Sequence, residues 1–198
     1  MHASTDVGPN ADDVAAIWSL RETLLAQNWP DSETIGRILS RTADTGAESK
    51  ASCYRENEDN LMFGVWAGRE RGGYRYPSFQ ILKGGLVHPK LSELMEALAR
   101  QPDLHPSHDK SGWERAFWLY QPRGRLSMQA LALHAAKFEE VLEDPERFAA
   151  LPNGARTPAD VFPEDCQAVI DLANGDADHL APWFDHKAPG NAVDSGDF

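Results

Sequence analysis

The segment Gly72–Ile81, "GGYRYPSFQI", determines how this chain folds, because it places a proline inside a run that otherwise favours a strand. Aromatic and β-branched residues are enriched in strands, whereas Pro77 has no N–H group to donate to a sheet. The segment is therefore predicted to be an edge strand or to bend at Pro77. We expect Phe79 to lie in the core and Tyr76 to be at least partly buried.

A β-hairpin is predicted around this segment. The upstream run "LMFGVWA" is apolar and aromatic, and the glycine-bracketed turn "GRERG" connects it to "GYRYPSFQIL". We expect the pair Gly84-Gly85 to end the hairpin. Residues 61–90 hold one acidic and five basic side chains, in a chain whose net charge is −12. The hairpin is therefore a basic island in an acidic protein.

Helical patterns precede the hairpin. Apolar spacing predicts a helix over 12–27, and a second helix begins after Pro30. A short polar helix is predicted in 48–58. The order of helices followed by a hairpin is that of a winged helix-turn-helix, so residues 12–88 are predicted to form such a module. A flexible tail, 1–11, precedes it.

Residues 89–175 are predicted to form a helical domain, with helices in "HPKLSELMEALAR", "GWERAFWLYQP", "SMQALALHAAKFEEVL" and "PEDCQAVIDLA". The dipeptide Thr157-Pro158 is typical of a helix start. The last helix is predicted to end at Gly175, which leaves 176–198 as an acidic C-terminal tail. The predicted fold class is mainly α with one β-hairpin, a winged helix-turn-helix-like N-terminal module followed by a helical domain.

Composition and motifs favour a protein that acts by binding a protein partner. The net charge of −12 repels nucleic acid as a whole and suits a basic partner. The sequence has no phosphate-binding glycine loop and no G-x-S-x-G, and His105 and His108 lie between prolines with no cysteine nearby. We therefore predict no enzymatic activity, no cofactor and no metal.

The expected location is the cytoplasm. No apolar run approaches the roughly 18 residues of a membrane span. The N-terminal residues lack the charged and apolar regions of a secretory signal. The two cysteines lie far apart in the sequence without a C-x-x-C motif, which is typical of a reducing compartment.

The hairpin arginines, Arg69, Arg71 and Arg75, offer an alternative function. A transcriptional regulator could use them to contact DNA from a hairpin wing. The polar helix predicted over 48–58, which would read the DNA, is itself mainly acidic and should repel phosphates. A simpler interpretation is that the arginines only make the tip of the hairpin soluble.

Several segments together resemble a known family. The runs "SETIGRIL", "GGYRYPSFQI", "WERAFWLYQP", "GARTPADVF" and "CQAVIDLA" are similar to the bacterial Xre/ParS-type antitoxins that carry a C-terminal toxin-binding domain. The resemblance covers roughly 30–175. The family pattern has a tyrosine-proline-aromatic-glutamine segment, matched by Tyr76, Pro77, Phe79 and Gln80. The run from 123 to 152 is longer than the family pattern and adds a helix.

The resemblance implies an antitoxin or immunity protein. Its partner would be a RES-type toxin that degrades NAD, neutralised by direct binding and occlusion of the active site. A homodimer of this chain is a further assembly that the sequence leaves open. The aspartates and the "HLAPWF" run of the tail 176–198 could imitate the anionic pyrophosphate and a base of NAD, or they could pack on their own domain. The predicted toxin-binding residues are Arg156, Thr157, Pro158, Asp178, Trp183, Phe184 and Asp185.

Overall fold

The computed structural model of the chain describes residues 11–40, 62–127 and 154–184. The helices in these ranges are α1 Ala11–Leu25, α2 Ser32–Ser40, α3 Leu91–Ala99, α4 Trp113–Tyr120, α5 Pro158–Val161 and α6 Cys166–Phe184. The strands are β1 Val65–Trp66, β2 Tyr74–Arg75, β3 Ile81–Leu82 and β4 Leu86–Val87. The prediction of a mainly helical chain with a hairpin is confirmed. The helices predicted over 48–58 and after Ser127 lie outside the described residues.

The predicted single hairpin is in fact two short antiparallel pairs. β1 pairs with β2, with Val65 opposite Arg75, and β3 pairs with β4. The prediction that Gly84 and Gly85 end a hairpin is wrong, because they form the turn of the second pair. Their φ angles of +98° and +78° lie in the left-handed region that glycine adopts without strain.

The two pairs separate at Pro77. The three residues that follow it, Ser78–Gln80, form a 3₁₀ turn rather than strand, as expected where the backbone N–H is missing. The predicted bend at Pro77 is therefore confirmed. The predicted burial is also confirmed, since Tyr76 is 0% exposed and Phe79 is 8% exposed.

The Gln80 side chain replaces the ladder bonds that the proline interrupts. Its Oε1 accepts from the Phe63 N–H at 2.8 Å, and its Nε2 donates to the carbonyls of Phe63 at 2.7 Å and Pro77 at 3.0 Å. Gln80 is 0% exposed, so these bonds satisfy an amide that water cannot reach. The Gln80 side chain therefore connects Phe63, just before β1, to the 3₁₀ turn that follows β2.

The hydrophobic core is continuous across both halves of the chain. Leu24 and Trp29 from the α1 region belong to the same buried cluster as Leu94 of α3 and Val169 of α6. The ring of Tyr120 at the end of α4 lies 5.2 Å from Trp29, centroid to centroid. Burial raises the pKa of the Tyr120 hydroxyl, so this group is neutral at physiological pH.

The start of α4 is held by a buried carboxylate. Asp109 accepts hydrogen bonds from the backbone N–H groups of Glu114 at 3.2 Å and Arg115 at 3.1 Å, and from Nε of Arg115 at 2.9 Å. Gly112 has φ +77°, and a Cβ there would lie 2.4 Å from the carbonyl oxygen of Gly64. A glycine is therefore required where α4 begins against the first hairpin.

The prediction that the last helix ends at Asn174-Gly175 is wrong, because α6 continues to Phe184. Gly175 costs a helix interior about 1 kcal/mol relative to alanine. Contacts beyond it compensate: Asp176 accepts from Nε1 of Trp118 at 3.0 Å, and Ala177 is 5% exposed. The first part of the segment assigned to the tail is therefore helical.

This continuation predicts that two truncations differ in stability. Truncation after Gly175 is expected to lower the free energy of unfolding by about 2–3 kcal/mol relative to truncation after Phe184, because it removes the charged acceptor of the Trp118 N–H. Both variants lack 185–198, so the comparison isolates the last part of α6. Urea denaturation measures the difference. Equal midpoints for the two variants would mean that the contacts after Gly175 contribute nothing.

Candidate functional site

The hairpin arginines border a cleft of about 670 Å³. It lies between the end of α1, the start of α2 and the first hairpin. Trp29, which is 4% exposed, is among its apolar lining residues. The cleft is lined by Glu22, Leu25, Ala26, Asn28, Trp29, Pro30, Asp31, Thr34, Arg71 and Arg75. It therefore brings two of the predicted DNA-contacting arginines close to the carboxylates of Glu22 on α1 and Asp31 just before α2.

These arginines are paired inside the chain. Arg71 donates from Nη1 to both carboxylate oxygens of Glu22, at 3.1 and 2.9 Å. Arg75 lies 3.5 Å from a carboxylate oxygen of Asp31 and also donates to the carbonyl of Arg71. Arg69 is exposed on the 3₁₀ turn at the hairpin tip. Two of the three predicted contacts are thus occupied by acids.

Asp31 is fixed by the helix that follows it. Its Oδ1 accepts from the backbone N–H of Thr34 at 2.8 Å, which caps the first turn of α2. This hydrogen bond is the main cause that holds the pKa of Asp31 below its ordinary value, and the Arg75 charge acts in the same direction. The carboxylate is therefore anionic where it meets Arg75.

The first group of predicted toxin-binding residues forms the start of α5. The Thr157 hydroxyl accepts from the Asp160 N–H at 3.1 Å, and Pro158 occupies the first helical position. The predicted helix start is therefore confirmed. Arg156 donates to Glu164 at 2.9 Å, and its carbonyl accepts from the Arg123 N–H at 2.8 Å. The hydrogen bond between Arg123 and Arg156 therefore connects the segment before residues 128–153 to the segment after them.

The second group lies on α6. Asp178 pairs with Arg100, the residue that follows α3, and Arg100 also donates to Asn174 at 2.8 Å. The Asp178 side chain remains 66% exposed. Trp183 and Phe184 belong to the last turn of α6, and Asp185 lies outside the described residues. One exposed carboxylate of the predicted set is therefore placed on a helix rather than on a tail.

Sequence reasoning did not identify Glu22 and Asp31 as parts of a site. Glu22 meets Arg71 across 49 positions of sequence, and no spacing rule connects residues so far apart. Charge counting could locate the basic hairpin but not the acids that face it. Glu22 reaches Arg71 only because α1 packs beside the hairpin.

No metal centre emerges from the described ranges. Within them, no group of three or more His, Cys, Asp or Glu side chains is arranged to hold an ion. His105 and His108 make local bonds instead, the first with Ser107 and the second with the carbonyl of Pro102. Burial lowers the pKa of His88, whose Nδ1 accepts from the Lys90 N–H at 3.2 Å. In the same ranges, no helix is both long and apolar enough to cross a membrane.

Comparison with known proteins gives no assignment for this chain. No family model matches the sequence, and neither a curated protein nor a solved structure matches it.

Proposed function

We propose that this protein is a stoichiometric inhibitor, an antitoxin or immunity protein, that binds a RES-type NAD-degrading toxin and occludes its active site. The proposal includes a winged helix-turn-helix arrangement for 12–88 and toxin binding by 89–175 and the end of α6. The observation that supports it most is the position of the Tyr-Pro-x-Phe-Gln motif. Tyr76, Phe79 and Gln80 are buried, and the motif joins the basic hairpin to the helical half.

Charge supports the same proposal. The chain has a net charge of −12, and Asp178 presents an exposed carboxylate on α6. An enzyme that consumes NAD must bind a dianionic pyrophosphate, so its cleft needs positive groups. Opposite charges on the two surfaces would speed association and favour this partner over others.

The pairing of the hairpin arginines argues against the regulator. A regulator that uses Arg69, Arg71 and Arg75 needs all three charges available to phosphates. Glu22 and Asp31 already engage two of them, so a DNA contact would have to displace carboxylates. Inhibition of a protein partner places no such demand on the hairpin.

Co-expression with the product of the neighbouring gene tests the proposal. We expect the full chain to restore growth and cellular NAD in cells that make this toxin, and the two proteins to co-purify in a fixed ratio. The variant Arg69→Gln/Arg71→Gln/Arg75→Gln should protect as well as the native chain. A chain that gives no complex and no protection, but shifts the DNA upstream of its own gene, would be a regulator instead.

A further inference from the structure

The positive charge of the basic hairpin is partly offset by two acidic side chains that lie beside it. Residues 61–90 have five basic and one acidic side chain, a balance of +4, and adding Glu22 and Asp31 reduces it to +2. In the Arg71–Glu22 contact a single guanidinium nitrogen, Nη1, donates to both carboxylate oxygens, at 3.1 and 2.9 Å. Because both groups are charged, these hydrogen bonds are stronger than bonds between neutral groups.

Asp31 is oriented by a hydrogen bond that does not involve the arginines, and Glu22 is positioned by the helix that carries it. Asp31 is oriented by its bond to the Thr34 N–H, at the cap of α2. Glu22 lies on α1 two residues before Leu24, which is 2% exposed and anchors that turn in the core. Because the Asp31 carboxylate is already oriented, its pairing with Arg75 costs less conformational entropy than an ordinary surface ion pair.

The pairs also sit beside a low-polarity wall. Trp29, Pro30 and Leu25 line the cleft next to them. The side chains of Arg75 and Asp31 are only 24% and 40% exposed, so their attraction is screened less than that of fully solvated charges. A phosphate group approaching Arg71 or Arg75 would therefore meet a resident carboxylate.

We infer that Glu22 and Asp31 form an internal anion mask that occupies Arg71 and Arg75 and keeps the hairpin from binding a phosphodiester backbone. The inference concerns a property of the free protein and does not depend on toxin inhibition. It predicts that the hairpin binds polyanions once Glu22 and Asp31 lose their negative charges.

A folded variant that lacks the negative charges of Glu22 and Asp31 tests this inference. In Glu22→Gln/Asp31→Asn both charges are lost, while the asparagine keeps an oxygen to cap α2. Binding to a short duplex DNA is measured by fluorescence anisotropy across a range of salt. We expect the variant to bind at least about tenfold more tightly than the native chain at low salt. A plot of the logarithm of its DNA-binding constant against the logarithm of the salt concentration should have a slope more negative by about 2. Each neutralised phosphate contributes about −0.9 to this slope.

A matched control separates the mask from net charge. Glu33→Gln/Glu93→Gln also removes two exposed carboxylates, each paired with a base on its own helix or at the start of that helix. This control should bind DNA like the native chain. The single Glu22→Gln variant should show about half the change in slope, which covers the case in which the double variant folds poorly.

Three results would overturn the inference. The first is an equal gain in DNA affinity for the control variant, which would assign the effect to net charge. The second is an unmasked variant that binds no better than the native chain. The third is a gain that persists when Arg71→Gln/Arg75→Gln is added to the unmasked variant, because the DNA would then be bound elsewhere.

Discussion

Replacement of Asp109 by alanine is expected to lower the free energy of unfolding by about 3–5 kcal/mol. The side chains of Asp109 and Arg115 are 0% and 11% exposed, so the substitution leaves a buried guanidinium without its counter-charge. It also removes the acceptor for the Glu114 and Arg115 backbone N–H groups at the start of α4. Urea denaturation followed by circular dichroism measures the loss.

The control for this substitution is Asp103→Ala. Asp103 is exposed in the 3₁₀ turn Pro102–Leu104, so its replacement should change stability by no more than about 0.5 kcal/mol. The double variant Asp109→Ala/Arg115→Met should recover part of the loss, because no unpaired charge then remains buried. A loss below about 1 kcal/mol for Asp109→Ala would show that water reaches Arg115.

Replacement of Gln80 by leucine is expected to cost about 3–5 kcal/mol, although the side chain becomes more apolar. The Phe63 N–H and carbonyl and the Pro77 carbonyl each lose their side-chain partner. A buried polar group without a partner costs about 1–3 kcal/mol. The melting temperature and the urea midpoint should both fall.

Two further variants make the Gln80 result specific. Gln121→Leu changes an exposed glutamine just after α4 and should leave the midpoint nearly unchanged. Gln80→Glu keeps the oxygen acceptor for the Phe63 N–H but has no side-chain N–H to give while it is ionised, and it buries a charge. It should be at least as destabilising as leucine at neutral pH. A native-like midpoint for Gln80→Leu would contradict the role of the amide.

The sequence alone determined the features that local chemistry controls. Pro77 lacks an N–H, so the strand had to stop or bend there whatever packed around it. Thr157 and Pro158 carry the cap and the fixed φ angle of a helix start, and α5 begins at Pro158. The basic island was also visible, because a charge count needs no fold. The inhibitor function and the toxin-binding residues stay predictions.

Tertiary structure decided the rest. Gly175 is a local stop signal worth about 1 kcal/mol, and contacts of Asp176 and Ala177 with other elements outweigh it. Strand pairing depends on hydrogen bonds between separate segments. These bonds form two antiparallel pairs where the sequence predicts one hairpin. The partners of Arg71 and Arg75, Glu22 on α1 and Asp31 just before α2, lie more than forty positions away in the sequence, a separation that no periodicity encodes. Long-range packing of α1 and α2 beside the hairpin therefore determined whether its arginines face solvent or carboxylates.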